Sequence, residues 1–146
     1  MKAREIMTSD RLECVTRQDS LTRAAQIMRD SDIGAVPVVE DQQSMRLVGV
    51  ITDRDIAIRH VASDNQADCT VGDHMTSGHL HTVSPDDDIE GVLRTMKAQQ
   101  VRRVPVTEGD RLVGIIAQAD VATSGVGDAD TADVVEKISE PGRGRR

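Results

Sequence analysis

The chain has 146 residues, a formal net charge of −7 and no Phe, Tyr or Trp. That length suits one compact domain or two small halves, and the core must be built from Val, Ile, Leu, Ala and Met. The missing rings and the negative balance argue against nucleic acid, whose binders stack bases on aromatics and neutralise phosphates with cations. No apolar run approaches the roughly 20 residues of a membrane span, and "MKAREIMTSD" carries no hydrophobic signal region. The expectation is a cytoplasmic protein with no membrane or nucleic-acid partner.

The first half opens with "EIMT", followed by a brief strand, "LECVT". The polar cluster "RQDS" supplies a helix N-cap. Leu21, Ala24, Ala25 and Met28 then recur at helical spacing. Two strands follow, "AVPVVE" and "RLVGVIT", joined by a polar turn as in a hairpin. A second helix begins near Asp53. The segment "VASDNQADCTVGD" is a linker.

The second half repeats that order: "DHMT", "LHTVS", "PDDD", a helix on Ile89, Val92, Leu93 and Met96, then "RVPVTE", "RLVGIIA" and a helix near Gln118. Met7-Thr8 recurs as Met75-Thr76, Val15 as Val83 and Pro37 as Pro105, each at an offset of 68; "RLVGVI" recurs as "RLVGII" at an offset of 65. The difference falls in the loops "EDQQSM" and "EGD", and loops absorb length changes that packed elements do not. The predicted class is α+β: two pseudo-twofold-related units, residues 1–63 and 64–125, each strand-helix-strand-strand-helix. Residues 126–146 read as a short amphipathic helix, "TADVVEKIS", and a flexible basic tail.

The units close on "GVITDRD" and "GIIAQAD", which share the Asp (Asp55, Asp120) but not the hydroxyl (Thr52, Ala117). Thr-x-x-Asp at a strand-to-helix junction is a capping-box pattern that needs no ligand. His79 and His81 alternate on a strand and point to one face, but nothing nearby completes a metal set, and no metal is expected. Asp86 to Asp88 read as a helix start. Cys14 and Cys69 read as free thiols in a reducing compartment. Cys14 lacks a nucleophile pattern, and there is neither a P-loop nor GxGxxG, so no catalytic residue is assigned and no enzyme is expected.

The tandem "MT…V" openings, the strands "IGAVPVV" and "VRRVPVT", and the closings "GVITDRD" and "GIIAQAD" resemble a pair of cystathionine-β-synthase (CBS) domains, a Bateman module. The resemblance covers about residues 3 to 125 and is to small stand-alone CBS-pair proteins of the bacterial hypoxic- or stress-response kind. It implies a non-catalytic sensor that binds an adenosine-containing ligand, such as AMP, ADP or ATP, in the cleft between the repeats. No cofactor is required.

The Asp55 carboxylate can accept both ribose hydroxyls, and the Thr52 hydroxyl and free helix N–H groups suit a phosphate oxygen. The resemblance adds Leu80, His81 and Val101 around the base and Arg102 toward phosphate, where a guanidinium fork fits. Arg103 reads as an ordinary surface strand residue. The second site would use Asp120, Leu12, Glu13 and Ile33. With Ala117 and Gly34 in place of the hydroxyl and the arginine, it looks degenerate. One nucleotide per chain is expected, or two of unequal affinity. The resemblance also implies a disc-like homodimer. The alternative function is a ligand-free CBS-pair dimer that docks an unnamed protein partner in a stress response.

Overall fold

The computed structural model describes residues 1–63, 69–78 and 80–124. The expected tail helix and basic tail, residues 64–68 of the linker and His79 lie outside the described residues. In chain order the elements are α1 (Ala3–Ile6), β1 (Val15–Thr16), α2 (Leu21–Ser31), β2 (Ala35–Val39), β3 (Leu47–Thr52), α3 (Asp53–Asp55), a π-helix (Ile56–Val61), α4 (Val71–His74), α5 (Ile89–Gln99), β4 (Arg103–Glu108), β5 (Arg111–Ala117) and α6 (Gln118–Thr123). This is the mixed α+β class expected from the sequence.

The chain folds as two compact units: one is Glu13–Leu80, and the other joins Met1–Leu12 to the chain from His81 onward. These units differ from the sequence repeats drawn at residue 63. The opening segment of each repeat packs with the other repeat's strands and helix.

In the unit Glu13–Leu80, β1 runs parallel to β2 and β2 runs antiparallel to β3. Thr76 then pairs with Val50 through two backbone bonds of 2.9 Å. Val71 N donates to Asp19 O at 2.8 Å and Gly72 N to Arg17 O at 2.9 Å. The other unit repeats this at an offset of 68 residues: Ala3 N donates to Asp87 O at 2.8 Å and Arg4 N to Pro85 O at 2.9 Å. There β4 pairs antiparallel with β5, Val83 bridges Val106 in parallel and Thr8 bridges Ile115. Both hairpins shift register at equivalent places, Val38/Val39 and Val106/Thr107. Such matching irregularities mark a duplicated design rather than accidents of packing.

The predicted opening strands shrink for a local reason. "LECVT" keeps only Val15–Thr16 and "LHTVS" only a single bridge at Val83. The Asp19 carboxylate takes Thr16 N–H at 2.8 Å and the Asp87 carboxylate takes Ser84 N–H at 2.9 Å, so each chain turns instead of continuing a ladder. Ser20 caps α2 by accepting from Arg23 N at 3.0 Å. Asp88 occupies the same place before α5 without a side-chain cap bond, its carboxylate being paired with Lys2. Both helices end in a left-handed residue, Asp32 and Gln100.

Each unit has its own aliphatic core. Leu21, Ala24, Ile27 and Met28 of α2 pack on Val36, Val38 and Ile51. Ala25, expected on that face, is exposed, and Ile27 takes its place. In the other unit all four expected residues of α5 are buried with Val104, Val106 and Ile116.

Candidate functional site

β3 is a run of Val and Ile ending at Thr52, whose backbone is still extended, and the helix begins at the next residue. Thr52 therefore stands at an N-cap, where the first helical N–H groups lack intrahelical partners. Its Oγ1 accepts from Asp55 N at 3.0 Å, and Asp55 Oδ2 accepts from Thr52 N at 3.0 Å. The capping box read from the sequence is thus formed. Thr52 and Asp55 are only 2% and 7% exposed, and they are the two buried polar side chains among the described residues.

The two oxygens of Asp55 are not equivalent. Oδ2 holds the short bond to Thr52 N, whereas Oδ1 faces Arg59 Nε at 3.6 Å; Thr76 Oγ1 lies 3.5 Å from both oxygens. Contacts of that length are weak hydrogen bonds at best. One carboxylate oxygen is committed to the helix cap, and the other retains acceptor capacity toward a ligand hydroxyl.

At the corresponding junction of the other unit, Asp120 Oδ2 accepts from Ala117 N at 2.8 Å. Ala117 has no oxygen to return the bond, so half of the box is missing. Thr52→Ala is expected to cost about 1 kcal/mol, and Ala117→Thr to stabilise by a similar amount because its extended backbone already suits a cap. Urea midpoints of the two variants check this. A destabilising Ala117→Thr would show that the second junction cannot hold a cap hydroxyl.

The remaining site residues divide between the units. Ile33 packs against the core of Glu13–Leu80, Leu80 is half-buried, and the exposed Glu13 accepts from the Ser31 hydroxyl at 3.4 Å. Leu12, His81, Val101 and Arg102 belong with Asp120 to the other unit. Within each unit, the carbonyl of the residue just before the hairpin accepts from the junction: Gly34 O accepts from Asp53 N at 2.9 Å, and Arg102 O from Gln118 N at 2.7 Å. By these bonds Gly34 adjoins the Thr52 junction and Arg102 the Ala117 junction. A Cβ on Gly34 would lie 3.1 Å from the Asp53 carboxylate, so this approach favours glycine.

Two further groups bear on chemistry. Burial pushes the Cys14 thiol up, only partly offset by its hydrogen bond to Gln42, which disfavours the thiolate a nucleophile needs. Neither cysteine is in a disulfide. The sequence reading weighed His79 and His81 for metal, but the structure gathers a different set, His60, Cys69 and His74. The available signal was the spacing of these three ligand types over residues 60 to 74.

Among the described residues no helix is long and apolar enough to cross a membrane. The CBS domain family model matches residues 3–60 and again 71–127. Hypoxic response protein 1 of Mycobacterium tuberculosis is 40% identical over 120 residues, covering 82% of each chain. A crystal structure of Hypoxic Response Protein I with two coordinated zinc ions is also 40% identical; the match has a TM-score of 0.73 and covers 84% of this chain and 98% of that one. The CBS domain pair of protein MJ0100, in complex with 5′-methylthioadenosine and S-adenosyl-L-methionine, is 26% identical; its TM-score is 0.67, over 85% of this chain and 94% of that one. Matched once by each of its two repeats, the chain belongs to the CBS domain family as a CBS-domain pair.

Proposed function

We propose that this CBS pair is a non-catalytic regulatory module that binds an adenosine-containing ligand at Thr52 and Asp55. The observation that carries the reading is the divided carboxylate of Asp55. A buried carboxylate is costly unless it is well satisfied, yet Oδ1 has only the long contacts to Arg59 and Thr76. Ribose offers adjacent hydroxyls that can donate to this oxygen, whereas the first helical N–H groups are already taken, Asp53 N by Gly34 O, Arg54 N by the Asp53 carboxylate and Asp55 N by Thr52 Oγ1. Adenosyl compounds bound to the MJ0100 CBS pair support the ligand class. The half-formed box at Ala117 supports one strong site rather than two. A ligand acts on such a module only through unequal affinity for its conformations.

The test is a dye-monitored melt with AMP, ADP, ATP, S-adenosylmethionine and GTP on nucleotide-free protein. A ligand at 100 times its Kd adds about 2.7 kcal/mol to the folded state, a rise of roughly 5 °C for a chain of this size. The shift should vanish in Asp55→Ala and persist in Asp120→Ala. If no compound moves the wild-type midpoint, the box is only a helix cap and the ligand-free scaffold is the better account.

A second reading, zinc binding, is favoured by the gathering of His60, Cys69 and His74. The zinc ions of the 40% identical hypoxic response protein support it. Zinc retained per chain after loading and desalting measures it directly, and a wild-type chain that retains none removes this reading.

A further inference from the structure

We infer that His60, Cys69 and His74 together form one zinc-class site within the unit Glu13–Leu80, with a fourth position left for water or a small ligand; this rests on the zinc reading. One donor atom from each of the three lies within 4.8 Å of the other two. Tetrahedral zinc with two imidazoles and a thiolate places donors about 3.5 Å apart.

Two observations point to an ion rather than to ordinary packing. His60 Nδ1 and His74 Nε2 are both buried with no hydrogen-bond partner among the described residues. Native proteins rarely leave such nitrogens unsatisfied without a reason. The two rings also meet edge-on, with centroids 5.3 Å apart and planes at 64°. Two imidazoles converging in this way suit a shared cation.

The donor set selects the metal. Imidazole and thiolate favour zinc and its neighbours over magnesium or calcium, which prefer oxygen. The scaffold is specific as well. His60 lies on the π-helix, Cys69 just before α4 and His74 at its last residue. π-Helical turns occur disproportionately at functional sites. Arg59, next to His60, donates to the His74 carbonyl at 3.2 Å, which ties the π-helix directly to the end of α4.

The site is single. At the repeat offset of 68, Cys69 and His74 correspond to Met1 and Ile6, which cannot supply the same ligands.

The full chain, stripped with chelator and reloaded, should retain one zinc per chain. Its cobalt form should show the intense visible bands of tetrahedral cobalt together with a thiolate-to-cobalt charge-transfer band. That spectrum is read on the wild type and needs no variant to fold. Cys69→Ser should lose the charge-transfer band and the retained metal, His60→Ala and His74→Ala should lose the metal, and Cys14→Ser should keep both; metal-free circular dichroism checks that each is folded. Wild type that retains zinc without a thiolate band, or a folded Cys69→Ser with full zinc, overturns this site and leaves the zinc reading intact. Wild type that retains no zinc overturns both.

Discussion

Ile116→Ala is expected to lower the unfolding free energy by about 2–5 kcal/mol, toward the upper end of that range. Ile116 is fully buried on β5, in a cluster that includes Val92, Met96, Val104 and Val106. The loss has two parts. The removed carbons return their transfer energy, and the cavity they leave persists to the extent that neighbours cannot fill it. Valines have one methyl-branched arm and stiff χ1 preferences, so they collapse poorly into a void. Met96, in the same cluster, is flexible, but it fills only part of the space. Ile116→Val should cost only about 0.5–1.5 kcal/mol. With no Trp or Tyr in the chain, urea unfolding is best followed by far-UV circular dichroism. An Ile116→Ala loss well under 1 kcal/mol would mean that the core is loosely packed.

Gly49→Ala comes next in size. An added methyl on a strand glycine would ordinarily stabilise by about 0.4–1 kcal/mol through the unfolded chain. Here it meets Thr76 O at 2.8 Å and Met75 Sδ at 2.9 Å. The carbonyl is backbone and is held by Val50 N at 2.9 Å, so relief requires the Met75–Thr76 segment to shift from β3. A net cost of about 1–3 kcal/mol is expected, as for overpacking elsewhere.

Gly114 provides the control. A Cβ there meets Met7 Sδ at 2.6 Å, but the nearest backbone atom, Thr8 O, is at 3.1 Å. A thioether can rotate away, so Gly114→Ala should cost less than Gly49→Ala. The comparison is made from urea midpoints of the two variants. The reverse order would show that the Met7 thioether is the more rigid obstacle.

Much of this fold is legible in the sequence because its strands are Val- and Ile-rich runs with polar loops between them. "RVPVTE" and "RLVGIIA" coincide with β4 and β5. The Thr52–Asp55 box is legible for the same local reason, since a cap is decided by residues three apart. The exchange of opening segments is not. Thr8 and Thr76 each make one bridge, and a single bridge leaves no periodic pattern to say which strand edge receives it.

His60, Cys69 and His74 were hidden by a different cause. His60 is turned by a π-helix, and π register depends on tertiary packing rather than on spacing. His79 and His81, alternating in an expected strand, drew the metal question elsewhere; among the described residues His81 is not part of the gathering of His60, Cys69 and His74. Ala25 illustrates the limit of stripe reading. A helix on a small sheet buries a narrow strip, and Ile27 and Met28 occupy it before Ala25 can.

The crossing of the opening segments changes what counts as a part of this protein. Glu13–Leu80 is an unbroken stretch of chain, whereas the unit that includes Thr8 and Ile115 is interrupted by it. In sequence terms one unit is nested inside the other, as a guest within a host. A fragment cut at the repeat boundary, residues 1–63, would carry Thr8 away from Ile115 and leave Val50 without Thr76, spoiling both sheets at once. The duplication that wrote the chain and the units into which it packs therefore have different borders, and the guest, residues 13–80, is contiguous and holds both partners of each pairing in its own sheet.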